Sequence, residues 1–74
     1  MAVHTFNYTG LKCPMPVLKT KKELRKLASG DVLEVIADDV GAKKDIPALV
    51  NKSGDELIEL REDNGNITFV IKKA

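Results

Sequence analysis

Cys13 is the one cysteine of this 74-residue chain and stands directly before Pro14, in the run Gly10-Leu11-Lys12-Cys13-Pro14-Met15-Pro16. Two prolines spaced by one residue would break a helix interior, but a first turn tolerates them, because the N–H groups they lack would have no helical partner there. The prolines therefore mark a helix start. Unpaired N–H groups and the positive end of the helix dipole favour an anion such as a thiolate. The residue types thus point to sulfur chemistry at a single thiol.

Each proline biases its predecessor toward extended geometry, which makes Cys13 a cap or flanking residue in a stiff frame. Only Met15 and Val17 keep free donors nearby, so the anion nest is poor. With Lys12 alongside, the expectation is a modest fall of the thiol pKa below its reference of about 8.5. That suits exchange, in which the best attacking thiol has a pKa near ambient pH. An arbitrary lone cysteine is more often inert core filler. Here the polar approach of Thr9, Gly10 and Lys12 and the proline frame favour a presented nucleophile.

Other chemistry finds less support. A cysteine hydrolase needs an oriented base, and His4, the only histidine, falls on a strand and reads as a satisfied or solvated side chain. With no second cysteine there is neither an internal disulfide nor a Cys-x-x-Cys couple, and no cysteine and histidine cluster suggests a metal. Asp38 and Asp39, and likewise Asp45, read most simply as helix caps. Between Lys12 and Lys26 six basic residues face one acid, Glu23, giving +5 against −4 for the remainder of a chain whose net charge is +1. Such runs are usually solvated faces. The sharper reading is a docking surface for an acidic partner, carried by Lys19, Lys22, Arg25 and Lys26, which would steer encounter more than add affinity. Without interleaved aromatics or an extended basic groove, the lysines argue against nucleic acid.

The elements that must position the thiol follow from composition and period. A chain of this length holds one domain, residues 1–74, with a thin core. The 43% apolar content rests on Val, Ile and Leu, the aromatics being Phe6, Tyr8 and Phe69. Val3 to Tyr8 reads as a strand. From Pro14 to about Ala28 the period becomes helical, through Val17, Leu18, Lys21, Leu24, Leu27 and Ala28, with Gly30 as the stop. Val32 to Ala37 fits a central strand. A second helix follows Asp38 and Asp39, with Ala42, Ile46, Leu49 and Val50 on one face and Gly54 at its end. Pro47 within it predicts a kink or a fresh start near Asp45. Leu57–Glu62 and Ile67–Lys72 flank Asp63-Asn64-Gly65-Asn66, where Asn-Gly is a strong hairpin signal.

The order β-α-β-α-β-β predicts an α+β fold, a two-layer α/β sandwich with two helices on one face of a four-stranded mixed sheet. The N-terminus lacks the pattern of a signal peptide and no apolar run nears the roughly 20 residues of a membrane span. With one unpaired thiol, the expected compartment is a reducing cytoplasm, with no membrane partner.

Gly10-Leu11-x-Cys13-Pro14-x-Pro16, then a helix, an apolar strand ending Ala37-Asp38-Asp39, then Asp45-Ile46-Pro47 and a terminal hairpin, resembles the TusA family of sulfur carriers over nearly the whole chain. Cys-Pro-x-Pro at a helix start is that family's signature. The resemblance implies that Cys13 accepts a sulfane sulfur as a persulfide from a cysteine desulfurase, rhodanese or related donor. It then passes the sulfur to a DsrE-type or other acceptor, in transfer-RNA thiolation, molybdenum cofactor synthesis or sulfur oxidation. Pro14 and Pro16 would position the thiol, with Gly10 and Lys12 in support. This implies a sulfurtransferase-type carrier rather than a stand-alone enzyme, with no cofactor of its own. The rival reading is a regulatory protein-binding module of the same fold that transfers no sulfur. Val40 stands where many relatives carry proline, which loosens the approach to the second helix. Leu49-Val50 offers no second thiol, which favours a single-thiol carrier.

Overall fold

Over residues 2–74, which the computed structural model describes, the chain forms β1 (Val3–Asn7), α1 (Met15–Lys26), β2 (Val32–Ala37), α2 (Ala42–Ser53), β3 (Glu56–Asp63) and β4 (Asn66–Lys72). The strands make one sheet in the order β1-β2-β4-β3. β1 and β2 pair in parallel, from Val3 opposite Val32 to Asn7 opposite Ile36, and β4 is antiparallel to both β2 and β3. The predicted α+β sandwich with a mixed four-stranded sheet is therefore the fold.

Alternation decides which face of the sheet is covered. Leu33, Val35 and Ala37 of β2 and Ile67, Phe69 and Ile71 of β4 are buried, and they meet Leu24 of α1 and Ala42, Ile46 and Val50 of α2. The other face carries Thr5, Glu34 and Arg61 in a polar chain: the Thr5 hydroxyl donates to Glu34 (3.3 Å), and Arg61 lies 3.7 Å from Glu34 and 2.6 Å from Glu59. The β3–β4 turn has Asn64 at φ 52° and Gly65 at φ 83°, the pair of positive values that a tight hairpin of native twist requires. A register shift between Leu57 and Glu59 leaves Ile58 as the extra residue of a bulge.

Two helical expectations need correction. The inward face of α1 is Pro16, Thr20 and Leu24, not a stripe centred on Val17 and Leu18, and Leu18 is 52% exposed. Thr20 can lie wholly buried because its hydroxyl donates to the Pro16 carbonyl at 2.7 Å, so no polar atom is left unpaired. α2 runs through Pro47 as one element and ends at Gly54 in the left-handed region (φ 82°). Pro47 lies inside the helix, where the donor it lacks leaves the Lys43 carbonyl without its helical partner, yet no fresh start occurs near Asp45.

Because β1, β2 and β3 all point the same way, each helix must return against the strands that flank it. α1 and α2 are therefore parallel, and both begin at the carboxyl edge of the sheet. That edge gathers the loop that holds Cys13 and the loop that precedes α2.

Candidate functional site

At the start of α1 the cap position is Pro14, with Cys13 just outside it, exposed, and joined to Pro14 by a cis peptide bond. Met15 N–H donates to the Lys12 carbonyl (2.8 Å) and Leu18 N–H to the Pro14 carbonyl (3.0 Å), so the turn closes beneath the thiol. Pro16 is buried and anchors that turn.

The loop is tied down from across the site. Asp38 Oδ1 accepts the Gly10 N–H (3.0 Å) and Asp39 Oδ2 accepts the Cys13 N–H (2.8 Å). These aspartates are thus not the caps of the second helix. Its cap position is Gly41, without a side-chain cap bond, and Asp39 offers Gly41 N–H only a 3.4 Å contact. Their carboxylates instead hold the loop of the other helix, a placement made possible by the shared edge.

Asp45 is likewise not a cap. It lies in the first turn of α2, where the Cys13 thiol donates to its Oδ2 at 3.4 Å. The hydrogen bond to Asp45 is the largest cause pushing the Cys13 thiol above its ordinary value. What desolvation there is, and then the negative charges of Asp45 and Asp39, act in the same direction. The expected fall is therefore a rise. A full charge in hydrogen-bond contact outweighs the partial charges of helix ends, and the exposed side chain of Lys12 makes no hydrogen bond or ion pair among the described residues. Gly41 completes the wall: a Cβ there would sit 3.8 Å from the thiol sulfur.

Gly10, Lys12, Cys13, Pro14 and Pro16 thus share one loop and helix start, while His4 is elsewhere. It lies near the opposite edge, with Nε2 4.0 Å from Asp31. Among the described residues no three His, Cys, Asp or Glu side chains converge on a common metal position. Lys19, Lys22, Arg25 and Lys26 are exposed on α1, and Lys26 is engaged by Glu23 at 3.7 Å. Arg25 joins Lys21 and Lys52 on the rim of a groove of about 430 Å³ between the helices, floored by Val17, Leu18, Leu24 and Leu49. Cys13 does not line that groove. Met15 (42% exposed) and Val40 (79%), one in each loop region of the site, leave apolar side chains in solvent beside it.

Residue-by-residue reading missed the roles of Asp39 and Asp45. The available signal was topological, since two helices that both follow parallel strands begin on one edge.

A family model described as Sulfurtransferase TusA matches residues 4–73. The chain is 47% identical over 66 residues to the sulfur carrier protein TusA of Allochromatium vinosum, covering 89% of this chain and 87% of that one. It is 43% identical over 65 residues to the sulfur carrier protein TusA of Pseudomonas putida, covering 88% and 81%. The crystal structure of a SirA-like protein from Desulfitobacterium hafniense superposes with a TM-score of 0.83 at 30% identity, over 97% of this chain and 96% of that one. By sequence and by fold, the chain belongs to the TusA sulfurtransferase family.

Proposed function

We propose that this protein is a sulfur carrier: Cys13 takes a sulfane sulfur as a persulfide and passes it to an acceptor protein. The observation that carries the reading is an exposed thiol fixed from several sides, by Pro14 and Pro16, by the Asp39 hydrogen bond to its own N–H, and by Asp45 at its sulfur. Fixing a nucleophile in an open position is what transfer between two proteins asks for. The relatives described as sulfur carriers support the same reading. The donor is a cysteine desulfurase or rhodanese-type protein and the acceptor a DsrE-type or other protein, in the cytoplasm. The whole chain acts as one domain, and the exchange as written needs no cofactor.

Incubation with a cysteine desulfurase and cysteine should add one sulfur to the intact mass, removable by a thiol reductant and absent from Cys13→Ser. A wild-type chain that gains no sulfur from any sulfane donor refutes the reading.

The groove between α1 and α2 favours a second activity, binding an acidic partner through Lys21, Arg25 and Lys52 over its apolar floor. As a pure binding module the protein would keep its partner and its physiological effect after Cys13→Ser. As a carrier that docks through these cations, it would keep the partner and lose the transfer.

A further inference from the structure

The acceptor of the Cys13 proton is the group that the chemistry requires and the signature run does not contain. A thiol attacks as its thiolate, so sulfur can move onto Cys13 only as the proton leaves. Among the described residues, Asp45 Oδ2 is the only side-chain oxygen in hydrogen-bond contact with the sulfur, at 3.4 Å. The bond can run in one direction alone, from S–H to carboxylate, so the proton already lies between the two atoms. The only histidine is near the other edge of the sheet.

The charges around the thiol are Asp45 from α2, Asp39 from the loop before α2, and Lys12 from the thiol's own loop. Asp39 is committed to the Cys13 N–H, and Asp38 to Gly10. On α2, Lys43 is drawn to Glu62 at 2.6 Å, and neither Lys43 nor Lys44 forms an ion pair with Asp45 among the described residues. The Asp45 carboxylate is thus left with the thiol as its partner. Its fixed place in the first turn of α2, a helix anchored in the core by Ile46 and Val50, gives it the geometry of a positioned base.

We propose that Asp45 is the proton acceptor of sulfur loading, taking the Cys13 thiol proton as the sulfur bond forms and returning it to the departing donor. The Cys13 sulfur attacks the terminal sulfur of a donor persulfide and a new S–S bond forms on Cys13. The donor's own S–S bond breaks, its sulfur leaves with the electron pair, and that thiolate receives the proton held by Asp45. One thiol and one persulfide enter and one of each remain, so no oxidant or reductant is consumed. The raised thiol pKa agrees with this arrangement, because a thiol mostly protonated at neutral pH gains most from a local base.

The role rests on the carrier reading, and the test separates the two. Asp45→Asn and Asp45→Glu are compared with the wild-type chain in the pH dependence of alkylation by iodoacetamide and in sulfur uptake from glutathione persulfide at neutral pH, followed by intact mass. Asp45→Asn should move the alkylation midpoint to lower pH and speed alkylation at neutral pH, yet slow uptake about tenfold or more, the modest end for a positioned base once the larger thiolate fraction is allowed for. Asp45→Glu, which keeps a carboxylate, should recover part of the uptake. A merely structural contact would move both rates together. Uptake that rises with alkylation in Asp45→Asn overturns the proposal, as does Asp45→Glu no faster than Asp45→Asn, or an alkylation midpoint that Asp45→Asn leaves in place. A wild-type chain that takes no sulfur, while Asp45→Asn still shifts the midpoint, removes the carrier reading and the transfer role with it but leaves the thiol–carboxylate pair standing.

Discussion

Asp39→Ala removes the bond that fixes the backbone of Cys13. Asp39 Oδ2 lies 2.8 Å from the Cys13 nitrogen, a good length for a charge-assisted bond, and the same side chain makes the weaker 3.4 Å contact to Gly41 N–H. Hydrogen bonds to charged groups contribute about 1.5–3 kcal/mol when well shielded. Asp39 is half-buried and Cys13 exposed, so water competes for both partners and about 1 kcal/mol is the better figure. In a domain of this size that lowers Tm by about 4–8 °C. Asp39→Asn keeps an acceptor oxygen and loses the charge, so it should fall between wild type and Asp39→Ala. Both variants remove a negative charge facing the thiol, and both should therefore move the iodoacetamide alkylation midpoint to lower pH, in the direction opposite to the present perturbation. The assay pairs thermal unfolding with that alkylation profile. Equal Tm for Asp39→Ala and wild type would show that Asp39 does not hold the loop. An unmoved alkylation midpoint in both variants would show that its charge is not felt at the sulfur.

Three further outcomes are expected. Gly41 has φ −61° and ψ −31°, which alanine adopts freely, and its added Cβ would lie 3.4 Å from Asp39 Oδ2 and 3.8 Å from the thiol sulfur. Gly41→Ala should thus raise stability by about 0.4–1 kcal/mol while slowing alkylation of Cys13, and a lowered Tm would contradict the packing described between the two loops. Phe69→Ala empties the centre of the core, where the ring is fully buried. Its cost of about 3–5 kcal/mol compares with a total of about 4–11 kcal/mol for 74 residues, so chemical denaturation should find the variant close to unfolding, and a well-folded variant would mean a core held elsewhere. Tyr8 is pushed above its ordinary 10.0 by burial and by the charge of Glu23. Its neutral form is favoured in the folded chain, so its contribution is fully present below about pH 10 and is lost as pH rises through the higher folded value. Denaturant midpoints should accordingly decline above about pH 10, and the decline should be shallower in Tyr8→Phe; an unchanged slope would exclude Tyr8 as its source.

Local signals in the sequence were read correctly where the physics is local. Asn64-Gly65 calls for positive φ at two successive positions and few other dipeptides accept it, so the hairpin was legible. The run Val32 to Ala37 fits a central strand better than a helical segment and is one, and Pro14 and Pro16 mark the helix start. The inner face of α1 is not legible from polarity alone, because Thr20 is polar yet buried, its hydroxyl satisfied four residues back by the Pro16 carbonyl. Pro47 does not interrupt α2 because the helix is held by its buried face, Ala42, Ile46 and Val50, and that burial outweighs one missing backbone bond.

The sign of the thiol perturbation is not legible from the neighbouring residues, and the cause is topological. Weighing only sequence neighbours set Lys12 and a helix dipole against nothing, whereas the carboxylates that decide the matter are 26 and 32 residues away. A thiol raised in pKa has fewer thiolate molecules at neutral pH, but each is a stronger nucleophile, and the resting protein is better protected from indiscriminate oxidation or alkylation. The difficulty is moved to delivery. On the proposed carrier function, an acceptor attacks the terminal sulfur of the loaded chain and Cys13 must leave as a thiolate, and a leaving group of high pKa leaves slowly. The proposed role of Asp45 answers both halves, since a carboxylate that passes the Cys13 proton to the departing donor during loading can, by microscopic reversibility, take the acceptor's proton and pass it to the departing Cys13 during delivery. An acidic setting, poor for a stand-alone thiolate, thereby suits a sulfur atom that must be gained and given up with equal ease.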